Sequence, residues 1–352
     1  MRVRLLAVAA AVCLAVVIVV GCGSDDGNGG GGGGDLSGTS ATFVTFDVGQ
    51  EPQFRPAFLD PVEEETGLRI AFDSPTDYAK LQAQVESDNV TWTVVQTDPW
   101  WTEAYCGKLT ERISVEVPAQ PEAFDSGPCG TPADAFAFLP TYDKEVFPDD
   151  PPQGWADFFD TEKYPGKRAV WGSYAINGVL EGALLADGVP PDQLYPLDLD
   201  RAFAKLDTIK DDIDFYDTLG QALAMMDSGE VVMASFTNSQ GYDQTQTGGT
   251  FEPMWEGALL SWDSYAVPKG ADKAAARAIL ESLAVPERQA QLAELGSFGA
   301  ISEDAEPDLT PAQEKWNPTI DANVAKSVPM DQTYYAEKNE EVIERWTEWV
   351  SG

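Results

Sequence analysis

The alternation of strand-like and helix-like segments over residues 41–105 limits this chain more than any other feature. Residues 41–47 (ATFVTFD) alternate apolar and polar side chains, as a strand with one buried face does, and 54–66 then carry a helical pattern that Gly67 ends. A second strand is expected over 68–72 (LRIAF), a helix over 78–85, a third strand over 93–96 and a short helix over 100–105. Parallel strands need a crossover long enough to hold a helix. This rhythm therefore argues for an α/β protein with a mainly parallel sheet and helices on its faces. The chain carries no internal repeat.

A second stretch, 255–270 (WEGALLSWDSYAVPKG), has the form of a short strand, Ala258-Leu259-Leu260, that breaks into Ser261-Trp262-Asp263-Ser264-Tyr265. Ala266-Val267 then resume the apolar character, Pro268-Lys269-Gly270 turns the chain, and Asp272 is placed to cap a helix starting at Lys273. A carboxylate between two large aromatics at a strand-to-helix junction sits where α/β proteins commonly hold ligands. The plainer reading is a strand end whose Trp and Tyr cap a core and whose Asp is solvated.

The beginning of the chain speaks to compartment. Arg2 and Arg4 precede an apolar run over 5–20 that closes in Val19-Val20-Gly21-Cys22. A basic flank, an apolar centre and small residues before a cut read as a secretory signal over 1–21, too short for a membrane span. The ending resembles a bacterial lipobox, which implies a lipid on Cys22 and attachment to the outer face of the cell membrane. Residues 22–40 are rich in glycine and nearly free of apolar side chains, so they are expected to form a flexible tether. These glycines make no phosphate cradle, because no strand precedes them and no helix follows.

Charge narrows the partners. Lys+Arg 22 against Asp+Glu 59 gives a net charge of −37, which excludes nucleic acid, since a phosphate backbone requires a basic face. Such a field draws in cations, although acidity also serves solubility. The chain has no histidine, which removes Ser-His-Asp and Cys-His nucleophiles and every histidine-based metal site. The acidic clusters at 63–65 and 211–214 lack the glycine and terminal glutamate of a calcium loop. No metal or cofactor is expected. Cys106 and Cys129 remain after the signal, in a compartment that permits disulfides, and are expected to be bonded across a Pro/Gly-rich loop.

Five stretches occur in order along the chain: PVEEETGLRIAF (61–72), PPQGWADFFDTEKYPGKRAVW (151–171), LEGALLADGVPPDQLYPLDLDRAFAKLDTIK (180–210), SGEVVMASF (228–236) and WDSYAVPKGADKAAARAILESLAVPERQAQLAELGSFGAISEDA (262–305). Together they resemble the extracellular solute-binding proteins of ABC importers, in the spermidine/putrescine branch. The resemblance implies a two-lobed periplasmic-binding-protein-like fold of type II, with residues 41–138 plus 265–352 in one lobe, 139–264 in the other, and the ligand between them. It also implies capture without chemistry: the ligand-closed form hands its solute to a membrane permease and that permease's ATPase. With no sign of an oligomer, a monomer is expected. Two other readings stand beside this one: a secreted hydrolase using carboxylates alone, and a surface lipoprotein of the same fold that binds a solute without transport.

Site residues follow from the resemblance position by position. Thr45, Phe46 and Asp47 match one pocket loop of the first lobe, and Thr97, Asp98 and Trp100 match the other. Ser235 and Phe236 correspond to an aromatic pocket position displaced by one residue. Asp263 falls on an acidic position that grips an ammonium, with Trp262 one residue from the expected tryptophan, and Phe298 replaces a pocket tyrosine. Where the family has an acidic pair after the GKRAVW strand, this chain has Tyr174 to Gly178, so Tyr174 and Asn177 stand there instead. The loss weakens the case for a diamine held at both ends. Asp47, Asp98 and Asp263 still suit one spermidine- or putrescine-like cationic head, packed on Phe and Trp faces.

Overall fold

The structure is a computed structural model that describes residues 34–352; the signal expected over 1–21, the lipid expected on Cys22 and most of the expected tether lie outside the described residues. Eleven strands are present there: Ser40–Val44 (β1), Arg69–Asp73 (β2), Val94–Thr97 (β3), Gly130–Asp143 (β4), Arg168–Trp171 (β5), Ile213–Tyr216 (β6), Met233–Thr237 (β7), Phe251–Pro253 (β8), Leu259–Ala266 (β9), Gly299–Ala300 (β10) and Val328–Pro329 (β11). They form one sheet whose main path runs β2-β1-β3-β9-β4-β7-β5-β6.

The sheet has two parallel wings. β1 pairs parallel with β2 and β3, and β5 pairs parallel with β6 and β7. Crossover helices such as Tyr78–Glu86 and Leu219–Asp227 connect strands within each wing. Between the wings β9 and β4 run antiparallel to each other, β9 also to β3 and β4 also to β7. The length of β4, 14 residues, lets its early part pair with β9 and its later part with β7 and β8. One strand thus belongs to both wings.

Local sequence accounts for most element ends. The first helical stretch starts at Glu51-Pro52, where a missing proline N–H does no harm, widens at Arg55–Leu59 and stops at Gly67, whose φ of 73° suits a residue without a Cβ. The wide turn shows in the Asp60 N–H, which reaches back to the Arg55 carbonyl. Asp272 accepts from the N–H groups of Ala274 and Ala275, as expected of a cap. Cys106 and Cys129 are bonded, with Cα atoms 5.5 Å apart.

Three expectations change. The tether does not extend to Ser40: the Leu36 N–H donates to the Thr66 carbonyl at 2.8 Å and its side chain packs on the core of the β1–β3 wing. Leu36 is the one large apolar side chain in residues 23–40, and its burial ends the free segment. Second, 261–265 is no break; β9 continues through it with every residue from Leu259 to Ala266 buried. β4 pairs with β9 from Leu259 to Ala266 and β3 joins its other edge from Ser264, so polar side chains there do not interrupt the strand. Third, the last helix, Gln332–Ser351, expected with the first lobe, bonds Glu103 there through Thr333 but is tied to elements around the other wing through Tyr335, Arg345 and Trp349. Trp346 Nε1 donates to the Gly172 carbonyl and Trp349 Nε1 to Asp207, both at 2.8 Å.

Candidate functional site

Parallel strands deliver their carboxyl ends to one place, and the segments leaving them are the natural lining of a cleft. Phe46 and Asp47 follow β1, Asp98 follows β3, Trp171 ends β5 with Tyr174 just beyond, and Thr237 ends β7. The central strands add Phe136 and Phe138 from β4 and Asp263 from β9. These groups surround a cleft of about 360 Å³. Its charged lining consists of the carboxylates Asp47, Asp98 and Asp263, with no lysine or arginine.

Asp98 is 7% exposed and held by two tyrosines from different wings. Tyr78 donates to Oδ2 at 2.5 Å and Tyr174 to Oδ1 at 2.8 Å, while the Asp98 N–H donates to the Tyr78 hydroxyl at 2.9 Å. Burial raises the pKa of this carboxyl, and the two tyrosine donors oppose that without cancelling it.

Asp263 is held differently. The Gln96 amide donates to its Oδ2 at 2.7 Å, and Gln96 is itself oriented by the Phe46 N–H, which donates to its Oε1 at 2.9 Å. Directly across on β4 lies Asp134, fully buried, with Tyr265 donating to its Oδ1 at 2.7 Å. Asp134 and Asp263 are direct cross-strand partners, so both carboxyls stand on the same face of the sheet. Burial pushes Asp134 up to about 6, and burial followed by the Asp134 charge pushes Asp263 well above its ordinary value.

The walls are aromatic. Phe136 and Phe138, two residues apart on one face of β4, meet edge to face at 5.2 Å between centroids, and Trp171 and Tyr174 lie 5.2 Å apart. Such walls give a hydrocarbon chain apolar contact and offer a cation electron-rich ring faces.

Of the residues expected from sequence, Phe46, Asp47, Asp98, Tyr174, Asp263 and Phe298 line this cleft. The others serve around it. Thr45 bonds the Asp47 carbonyl, Thr97 bonds Thr102 and the Ser264 carbonyl, and Asn177 fastens the turn after β5 through the Trp171 and Tyr174 carbonyls. Trp100 is buried against Tyr78, behind the cleft wall. Ser235 and Phe236 are buried, the latter in a core with Tyr216 and Phe251.

Trp262 is the clearest correction. Successive strand residues point to opposite faces, so Trp262 and Asp263 cannot share a cleft while β9 is extended. Trp262 packs instead with Phe124 and Ile301, and its Nε1 donates to Ser126 at 2.9 Å. Residues missed from sequence include Tyr78, Phe136, Phe138, Trp171, Thr237 and Asp134. The alternation in residues 134–138 (DAFAF) carried a usable signal, because it places Asp134, Phe136 and Phe138 on one face.

Two parallel wings joined by shared antiparallel strands, with an acidic and aromatic cleft at the strands' carboxyl ends, define a two-lobed substrate-binding protein of the type II periplasmic-binding-protein-like fold. Residues 57–322 match the family described as bacterial extracellular solute-binding protein, and the chain belongs to it. A gamma-aminobutyric acid-binding protein of Pseudomonas aeruginosa is 28% identical over 323 residues, 89% of this chain and 91% of that protein. A GABA receptor of known structure is 32% identical, covers 89% of this chain and 98% of its own, and superposes with a TM-score of 0.79. An ABC transporter substrate-binding protein from Bradyrhizobium japonicum is 29% identical over 88% of this chain and 99% of its own, with a TM-score of 0.82. The protein is therefore a solute-binding component of an ABC transporter and not an enzyme, which sets the hydrolase reading aside. Its partners are a small molecule and an ABC permease. The relatives do not single out the spermidine/putrescine branch.

Proposed function

We propose that this protein captures a small aliphatic solute by its ammonium group, polyamine-like in charge, and delivers it to the permease. The carrying observation is that every charged side chain lining the cleft is a carboxylate. An ammonium taken from water needs charge-assisted hydrogen bonds from acids, and its methylenes need the flat apolar contact that Phe136, Phe138 and Trp171 offer. In this reading residues 41–138 plus 265–352 and residues 139–264 are lobes that close on the ligand, apart from the last helix, which packs on both. The Tyr174 bond to Asp98 spans them and favours the closed form. Titration calorimetry of the purified protein with putrescine and spermidine tests the reading; no heat with either amine, against strong binding of an anion, would overturn it.

A second reading has its own support. Helix Asn238–Gln246 begins at the cleft beside Thr237, Ser239 and Gln240 and has no acid in its first turn. Its free N–H groups suit a carboxylate, which would make the ligand an amino-acid zwitterion like the one for which the relatives are named. Binding of γ-aminobutyrate but not putrescine in the same titration selects this reading.

The lipid on Cys22 belongs to the proposal as well, as does a monomeric state. A Cys22→Ala chain should be released or stay unprocessed, and sedimentation should give a single-chain mass.

A further inference from the structure

Asp134 takes no part in lining the cleft, yet its surroundings make sense only with a proton beside it. It is fully buried, its Oδ1 receives the Tyr265 hydroxyl, and its Oδ2 has no donor at all. The group it faces on the neighbouring strand is the carboxyl of Asp263, its direct cross-strand partner, itself buried. Two buried carboxylates facing each other repel, whereas an acid and a carboxylate share a hydrogen bond, so a single proton satisfies both oxygens.

We propose that Asp134 and Asp263 hold one proton between them in the empty cleft and that an ammonium ligand displaces it, so that capture of a cation is accompanied by release of a proton. This rests on the ammonium reading of the site. Asp263 is the member that meets the ligand, and Asp134 is a positioning residue behind it. Tyr265 on β9 and Asp98 after β3 are the titratable groups that face the pair, with Tyr174 and Tyr78 behind Asp98; β10, which pairs with Asp134 through its backbone, brings only Gly299 and Ala300. Asp98 adds a second negative charge that disfavours full ionisation of the pair. Bound ammonium supplies the opposite charge, and the proton then leaves to water.

The arrangement makes the site neutral enough to stay folded when empty and more acidic when a cation arrives. It also gives affinity a sign with pH. While the pair retains its proton, affinity for a cation rises by up to about tenfold per pH unit, and it levels off where the empty pair is already ionised.

Calorimetry with putrescine and with γ-aminobutyrate, run near neutral pH in buffers of different ionisation enthalpy, should show release of about one proton per ligand bound. Asp134→Asn removes the competitor for the proton and should flatten the pH profile of binding. Binding without proton release in the wild-type protein overturns the proposal and leaves the ammonium reading standing. Failure of both amines to bind removes the ammonium reading and the release with it. The proton can also be read without any ligand or variant: carboxyl carbon resonances of Asp134 and Asp263 in the empty protein should titrate well above the ordinary aspartate value of about 3.9, and ordinary titration of both refutes the shared proton.

Discussion

Two buried acids in this molecule have nearly the same company and opposite settings. Asp98 is gripped by Tyr78 and Tyr174 and opens on the cleft; Glu181 is gripped by Tyr195 and Tyr335 and is sealed between helix Val179–Ala186 and the last helix. Both carboxyls are raised in pKa by burial, and in both the tyrosine donors oppose the shift. At Asp98 each oxygen has a tyrosine, and the tyrosines come from different wings. At Glu181 both hydroxyls meet Oε1, and Oε2 has no hydrogen-bond partner. The chemistry is alike, but only one acid can be reached by a solute. Accessibility and partner geometry, rather than residue type, separate an acid that lines the cleft from a structural one.

The comparison can be broken most directly by truncation. Glu181→Ala strands two buried tyrosine hydroxyls and leaves a cavity, so it should destabilise folding by about 3 kcal/mol with no change in ligand affinity at temperatures where it stays folded. Chemical denaturation beside calorimetry checks both halves. A loss of affinity without a loss of stability would make Glu181 part of the site.

Asp98→Asn should do the reverse. It keeps the shape of the side chain but removes the charge, and putrescine affinity should fall by roughly a hundredfold, about 3 kcal/mol. An equal affinity in wild type and variant would leave Asp98 as another structural acid.

A pH series tests what the two acids share. Asp98, Asp134, Glu181 and Asp263 all hold their protons more tightly in the folded chain than an exposed carboxyl does. Stability from such groups is fully present below the unfolded value of about 3.9 and is lost as pH rises through the folded values. The empty protein should therefore unfold several degrees lower near pH 8 than near pH 5, by about 5 °C. Asp73 and Glu111 are shifted downward and act in the opposite sense, but they lie near the surface where water weakens them. A midpoint that rises over this interval would mean that the buried acids are ionised in the folded chain.

The smallest effect is expected at the bond that crosses the cleft. Tyr174→Phe removes one hydroxyl from Asp98, should weaken ligand binding by about fivefold, near 1 kcal/mol, and should leave the unfolding midpoint within error. An affinity unchanged within a factor of two would show that the bond does not favour the closed form.

Much of the fold was readable from local pattern. The strand at β1, the stop at Gly67, the cap at Asp272 and the apolar runs of the first wing each depend on residues within a few positions of one another. The site was readable in part. Phe46, Asp47 and Asp98 follow the ends of parallel strands, where the strand rhythm itself says to look. Trp262 was not readable, because neighbours in sequence face opposite ways within a strand and the expected place beside Asp263 requires that strand to break.

The sequence by itself determined the α/β alternation, the strand ends of the first wing that line the cleft and the acidic character of the chain, because periodicity, chain reversal and charge are local or additive properties. Only the tertiary structure decided that β9 would run unbroken between β3 and β4, that Asp134 would lie opposite Asp263, and that Tyr174 would reach across to Asp98. Those pairings depend on sheet register and on the packing of distant segments. A one-residue slip in register would turn Asp134 or Asp263 to the other face of the sheet, and no short stretch of sequence contains that information.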